Sequence, residues 1–573
     1  MPVLRIARRS ALAAALNALF ASCAMAQFAA QMLPDAGRTM RELDRAGPAL
    51  QLAPKQVPDI LLEPERAAGT SSGNARLAVQ AFRISGATHF AADELNGLLT
   101  PWNRRELSIA ELQEVSARIT RHYREHGYPV ARAYLPAQEI RDGTVDIAVL
   151  EGRIGAVELH NTARIGDERM ALLVRQAQAG DPVHGPSLER GLLLLNDTPG
   201  VGAARAALRP GASVGLSDLV VTVEPGRFAA GSVDIDNYGN RYSGAYRAGG
   251  TLVLNSPLGI GDQFTARVQG SNERLLYGRL AYRVPVGTSG LALGAAWSAS
   301  SYRLGKEFAD LDANGDARIA SLFATYPLVR SRSFNLNAVV SVEDKDLQDR
   351  IGVLPEVIGT VDKTAQLISA GLTGDGLWRA SGGRYNFSIA YTSGRLDIQS
   401  PLARIEDEFT LQTRGHYDKL TYAAGAQLPL GGAWSAWSFY AAFSGQWAGR
   451  NLDSSEKFAL GGPDGVRAYP QGEAPADEGA LATVELRRAL APAGYGQMQV
   501  AGFIDGGAAK LHRDPFGTGE NRRRLAAAGF AFQWAAPGEV LVKASIGWKL
   551  GSEAATSEPD RGARAWLQAV KYF

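Results

Sequence analysis

Residues 540–549 read VLVKASIGWK. Val540, Val542, Ala544, Ile546 and Trp548 fall on one face of an extended chain, and Leu541, Lys543, Ser545, Gly547 and Lys549 on the other. Successive side chains of a strand point to opposite faces, so this stretch predicts a strand with one apolar side. The pattern recurs upstream. Phe264, Ala266 and Val268 alternate with Thr265, Arg267 and Gln269, and Phe334 to Val342 alternate with Asn335 to Glu343. Tyr385, Phe387, Ile389 and Tyr391 alternate with Asn386, Ser388, Ala390 and Thr392. Ala482, Val484 and Leu486 alternate with Thr483, Glu485 and Arg487. A barrel in a bilayer needs one face for lipid and one for a wet lumen, and it must close because an open edge finds no water to bond. The 347 residues from Arg227 to Phe573, at ~22 per strand with its connection, predict a mainly β chain with an antiparallel transmembrane barrel of about 16 strands. A soluble sandwich or propeller would also alternate. The export signal, the lack of cysteines and the aromatic end Tyr572-Phe573 favour the barrel.

Composition narrows the function. Lys plus Arg total 60 and Asp plus Glu 58 in 573 residues, a near-balance that argues against a protein coating nucleic acid. With 46% hydrophobic and 21% charged residues, wholesale disorder is excluded. The single cysteine, Cys23, removes disulfide scaffolds, zinc ribbons and thiol catalysis from the rest of the chain. The longest uncharged stretch, Leu420 to Gly449, is broken by Pro429, Gly431 and Gly432. It reads as two strands and a turn, not as a membrane helix of ~20 apolar residues.

Arg5, Arg8 and Arg9 precede the apolar run SALAAALNALF and then Ala24-Met25-Ala26, the order of a secretory signal peptide cleaved after Ala26. Phe20-Ala21-Ser22-Cys23 is also compatible with a lipoprotein site anchored through Cys23, although Phe stands where Leu is expected. Pro34 to Gly47 predicts a short helix with Met40 and Leu43 on its apolar edge, followed by a linker carrying Pro48, Pro54, Pro58 and Pro64. Ala75 to Pro225 predicts two α+β units of similar order, the first around a helix from Ser108 to His126.

Three matches to catalytic or metal motifs fail on context. His122-Tyr123-Arg124-Glu125-His126 spells an inverted zinc-peptidase order, but Gly127-Tyr128-Pro129 ends the helix at once, so both histidines are read as solvent-facing. Gly211-Ala212-Ser213-Val214-Gly215 lacks the helix that a nucleophile elbow needs. Asp310 to Asp316 resembles the start of a calcium loop, yet its twelfth position is Ser321 and not Glu, which leaves an acidic barrel loop.

Four stretches remain. Residues 127–136 read GYPVARAYLP and continue to Glu151-Gly152-Arg153-Ile154; residues 188–201 read LERGLLLLNDTPGV. Residues 460–470 read LGGPDGVRAYP and residues 503–507 FIDGG. In this order they resemble the TpsB transporters of two-partner secretion, the family of haemolysin activator and filamentous haemagglutinin secretion proteins. The first two are similar to the family's two POTRA domains. Gly465, Val466, Arg467, Ala468 and Tyr469 match its loop motif VRGY, with Ala where Gly is frequent, and Phe503, Asp505 and Gly507 its strand motif F-x-D-x-G.

The resemblance implies residues 1–26 as signal peptide, 27–74 as plug helix and linker, 75–153 and 154–226 as POTRA domains, and 227–573 as the barrel. It implies an outer-membrane pore of a Gram-negative bacterium with periplasmic POTRA domains, no cofactor, no metal and no enzymatic activity. The expected partners are a secreted TpsA-type exoprotein, outer-membrane lipids and the barrel-assembly machinery, with no nucleic acid, and the chain is expected to act as a monomer. A barrel-assembly factor of the same superfamily, which usually brings three to five POTRA units, and a passive porin are the alternatives. Strand parity adds that Asp505 shares a face with Phe503 and Gly507, opposite Met498, Val500, Gly502 and Ile504. It is therefore expected in the lumen, within reach of the planar fork of Arg467, unless both are simply solvated charges.

Overall fold

The computed structural model describes residues 34–45, 60–62, 76–140, 142–174, 179–490, 494–536 and 538–573. The expected signal peptide, its Cys23 alternative and most of the expected linker lie outside these residues.

Two α/β units come first. In one, Arg76–Val79 pairs with Arg105–Ser108, while Ala81–Ser85, Thr144–Leu150 and Arg132–Tyr134 form a three-stranded sheet. The helix Ile109–Glu125 starts in a reciprocal cap between Ser108 and Glu111. Leu112, Val115, Ile119 and Tyr123 follow at helical spacing and bury against Val145 and Ile147. The Glu151-Gly152 pair now has a physical reason. Glu151 is buried and accepts hydrogen bonds from Thr88 N at 2.6 Å, His89 N at 2.8 Å and Tyr123 Oη at 2.9 Å. Burial pushes its carboxyl up, but these donors outweigh burial and hold it below the ordinary value. One expectation is corrected. His126 is exposed, but His122 is tucked beside Phe90 with Nε2 3.1 Å from Glu94 Oε1, because a preceding loop folds over that helix face.

The second unit orders its strands Ile60–Leu62, Val201–Pro210, Leu216–Pro225 and Arg153–Asn161. Ile60–Leu62 belongs to the stretch read as pure linker, yet it pairs in parallel with Ala206 to Leu208. Helix Gly185–Asp197 docks this unit on the barrel. Arg190 Nη2 donates to Pro327 O at 2.7 Å, and Arg330 Nε lies 2.6 Å from Asp197 Oδ2.

Among the described residues, sixteen antiparallel strands form the barrel, from Ala229–Asp236 to Ala563–Tyr572. The first and last close it between Ser232↔Tyr572 and Asp236↔Gln568. No described helix is long and apolar enough to cross a membrane; the strands do so. Parity holds as expected, with Ile504 59% exposed on the outer face and Asp505 fully buried on the inner one. Phe334–Ile351 and Thr360–Trp378 run to 18 and 19 residues, against the ~9–11 that a bilayer requires. Beyond Val342 the outer face turns polar with Asp344, Asp346 and Gln348, so these strands rise out of the apolar band. The acidic stretch Asp310 to Asp316 is only partly a loop, since the strand Ala313–Arg330 starts inside it.

Candidate functional site

The connection between the strands Trp437–Ala448 and Glu478–Leu490 folds back into the lumen. Leu460, Val466, Ala468, Tyr469 and Ala476 are buried there against Leu481, Ala509, Leu525 and Ala527 of the barrel wall. Two wall glycines make the approach possible. A Cβ on Gly507 would stand 2.8 Å from Leu460 Cδ2, and one on Gly547 would stand 3.1 Å from the backbone at Arg467 and Ala468. Ala468 itself avoids the left-handed region, so the missing glycine costs nothing at that position.

This path delivers Arg467 to the wall. Its Nε lies 2.9 Å from Asp505 Oδ2 and its Nη2 2.8 Å from Asp505 Oδ1, the bidentate fork of a guanidinium on a carboxylate. Its backbone N also donates to Asp505 Oδ2, at 3.1 Å. Nη1 turns the other way, to Glu485 Oε1 at 2.8 Å, and the guanidinium carbon sits 3.3 Å from the centre of the Phe503 ring. Thr483 Oγ1 donates to Asp505 Oδ1 at 3.0 Å, and Trp566 Nε1 donates to Arg467 O at 2.8 Å. Arg487, 2.7 Å from Glu485 Oε2, completes a set of two cations and two anions.

Arg467, Phe503, Asp505 and Gly507 therefore come together. Gly465, Val466 and Ala468 shape the loop. Tyr469 faces elsewhere, donating to Glu553 O at 2.9 Å. Three participants went unmarked in the sequence reading. Thr483 and Glu485 stood on the polar face of a recognised strand, but only register shows that Thr483 lies opposite Asp505. Trp566 comes from the last strand and carried no signal.

The same loop makes three further attachments. Glu473 is fully buried and accepts from Thr556 N and Oγ1 and from Ser557 N and Oγ at 2.6–2.9 Å. Burial pushes its carboxyl up, but the Ser557 and Thr556 donors hold it below the usual range. Glu456 pairs with Lys345 at 2.7 Å and Lys419 at 2.5 Å, and Asp453 with Lys363 at 2.8 Å.

Helix Ala36–Arg45 lies inside the barrel between this loop and the opposite wall. Ala36, Met40 and Leu43 pack on Tyr277, Tyr302, Ala317 and Leu347. Ala36 N donates to Asp349 Oδ1 at 2.8 Å, and Tyr277 Oη donates to Asp44 Oδ1 at 2.5 Å. On its loop side Arg38 bonds Gly472 O and Arg41 bonds Lys457 O, while Gly37 leaves room for Ser455.

Comparison with known proteins agrees with this architecture. Residues 215–534 match the family model of the haemolysin secretion/activation protein ShlB/FhaC/HecB, and residues 77–152 that of the POTRA domain, ShlB-type. The chain is 28% identical over 488 residues to the heme/hemopexin transporter protein HuxB of Haemophilus influenzae, covering 84% of each. It is 25% identical over 501 residues to the outer membrane transporter CdiB of Escherichia coli, covering 85% of this chain and 80% of that one. The solved structure of CdiB from Escherichia coli shares the fold with a TM-score of 0.70 at 21% identity, over 94% of this chain and 96% of the other.

Proposed function

From the premise that the chain belongs to the haemolysin secretion/activation protein family ShlB/FhaC/HecB, and is an outer-membrane transporter of two-partner secretion with periplasmic POTRA domains, we propose that it secretes one unfolded exoprotein to the cell surface. The observation that carries this reading is a closed barrel with two α/β units docked at one end and a separate helix seated in its lumen. The partner is a TpsA-type exoprotein. It is caught in the periplasm by the POTRA units, residues 75–153 and 154–226, which add one of its extended segments to a sheet edge. The parallel pairing of Ile60–Leu62 with Ala206 to Leu208 supports the mode of capture, since a short extended segment already adds to a sheet of this unit by strand pairing, although that edge itself is taken. Helix Ala36–Arg45 is the plug and leaves for cargo to pass. Arg467 and Asp505 lock the lumenal loop to the wall. Folding of the cargo outside supplies direction, with no cofactor and no enzymatic step. The chain acts as a monomer delivered by the barrel-assembly machinery.

Removing residues 75–225 tests capture. The truncated chain is expected to export none of its TpsA-type partner exoprotein, and secretion at the normal rate would overturn the reading. Depleting the full chain is expected to leave other outer-membrane barrels at normal levels, whereas their loss would make it an assembly factor.

A further inference from the structure

The outer wall of the barrel carries an apolar groove of about 680 Å³ that the secretion reading does not use. Its path follows the ladder register. One row runs Trp437↔Arg488↔Val500↔Phe532↔Ala544↔Leu567, and a parallel row runs Leu486↔Gly502↔Phe530↔Ile546↔Ala565. Gly502, Ala544 and Ala565 are small and form the floor, and the larger side chains of the two rows form the rims. A Cβ on Gly502 would meet only Phe530 Cε1, at 4.0 Å, so its lack of a side chain serves no packing within the protein.

The groove has a direction. Trp437 opens its strand at the rim nearest the POTRA units, whereas Asn237, at the far end, lies just past the outer tip of the first strand. Six strands at ~4.8 Å spacing make a track of roughly 24 Å. With strands tilted about 45° the track climbs roughly 17 Å, close to one leaflet of a ~30 Å hydrocarbon core. The low end is basic. Arg488 is exposed on the lipid-facing side, with its guanidinium carbon 5.4 Å from the centre of the Trp437 ring, and Trp434 packs on Trp437 at 5.7 Å. Among the described residues Arg488 has the Trp437 ring as its neighbour and no carboxylate partner. A cation at the headgroup level below an apolar track is complementary to an anion carrying a hydrocarbon chain.

We propose that this groove is a specific site for one phospholipid of the inner leaflet, its acyl chain laid over Gly502, Ala544 and Ala565 and its phosphate held by Arg488. The lipid is part of the barrel wall and independent of cargo.

Native mass spectrometry of the full chain, extracted in mild detergent and then exposed to phosphatidylglycerol or phosphatidylethanolamine, tests this. One tightly held phospholipid per chain is expected. Gly502→Phe fills the floor and should reduce retention at least tenfold, and Ala565→Leu, which narrows the same track from the last strand, should also reduce it. Gly506→Phe adds the same bulk on the same lipid-facing side but outside the groove, and should retain lipid. Arg488→Gln should lower retention of both phospholipids. Equal retention by the wild type and both groove variants would overturn the site, as would replacement of the lipid by detergent in the wild type. Heat-modifiable mobility on gels shows that each variant has folded.

Discussion

Arg467 answers to two carboxylates at once, which makes it more than a surface ion pair. Asp505 takes Nε and Nη2, Glu485 takes Nη1, and Phe503 covers the guanidinium face. Removing one partner of a buried pair leaves an uncompensated charge at a cost of about 3–5 kcal/mol. Arg467→Ala and Asp505→Ala are each expected to cut secretion sharply while the chain still reaches the membrane, with the double variant little worse than either single one. Secretion assays on the three variants form a double-mutant cycle, and losses that simply add would show that the two residues do not act as a unit. His512 gives a second prediction. Burial, with the Lys457 ammonium beside it, pushes its imidazole down to about 4 from an ordinary 6.5. A depressed histidine stabilises the folded state fully above pH 6.5, and this contribution is lost as pH falls toward 4. His512→Gln should flatten that part of the pH dependence of thermal unfolding, and an unchanged profile would remove His512 as its source. Much of this site was legible in the sequence, because parity alone turned Asp505 inward. Glu485 was not, because its meeting with Arg467 depends on cross-strand register and on the path of a loop, neither of which leaves a local pattern.

Among the elements, the helix Ala36–Arg45 is the one whose position carries the most consequence. Three of its apolar side chains are buried in the wall, and its arginines bond loop carbonyls at Gly472 and Lys457. Deleting residues 27–47 with residues 1–26 retained should raise single-channel conductance while the barrel keeps its heat-modifiable mobility, and an unchanged conductance would exclude the plug role. The sequence showed this helix through Pro34, Met40 and Leu43, and the barrel strands through period-two alternation, because both periodicities are local. Ile60–Leu62 stayed hidden. Three apolar residues between Pro58 and Pro64 are too few to show a period, and only the exposed edge of Val201–Pro210 makes them a strand.

At the scale of the whole molecule, strand arithmetic reached the count of sixteen because lipid imposes nearly the same rise on every crossing. It could not foresee that Phe334–Ile351 and its neighbours overshoot the bilayer, since their upper parts are polar on the outer face and so obey no membrane constraint. The anchoring of the tether near its middle also has a kinetic consequence. Arg45 and Ile60 are about fifteen residue steps apart, a leash of roughly 50 Å at full stretch. The apolar band of such a barrel is only ~25 Å tall. On the proposed plug role, this length lets the helix clear the pore while Ile60–Leu62 keeps its grip on the sheet. Its return is then a first-order search at an effective concentration on the order of millimolar. Under the proposed plug role, unstoppering and restoppering would run on their own clock, set by leash length, with no second molecule needed to reset them.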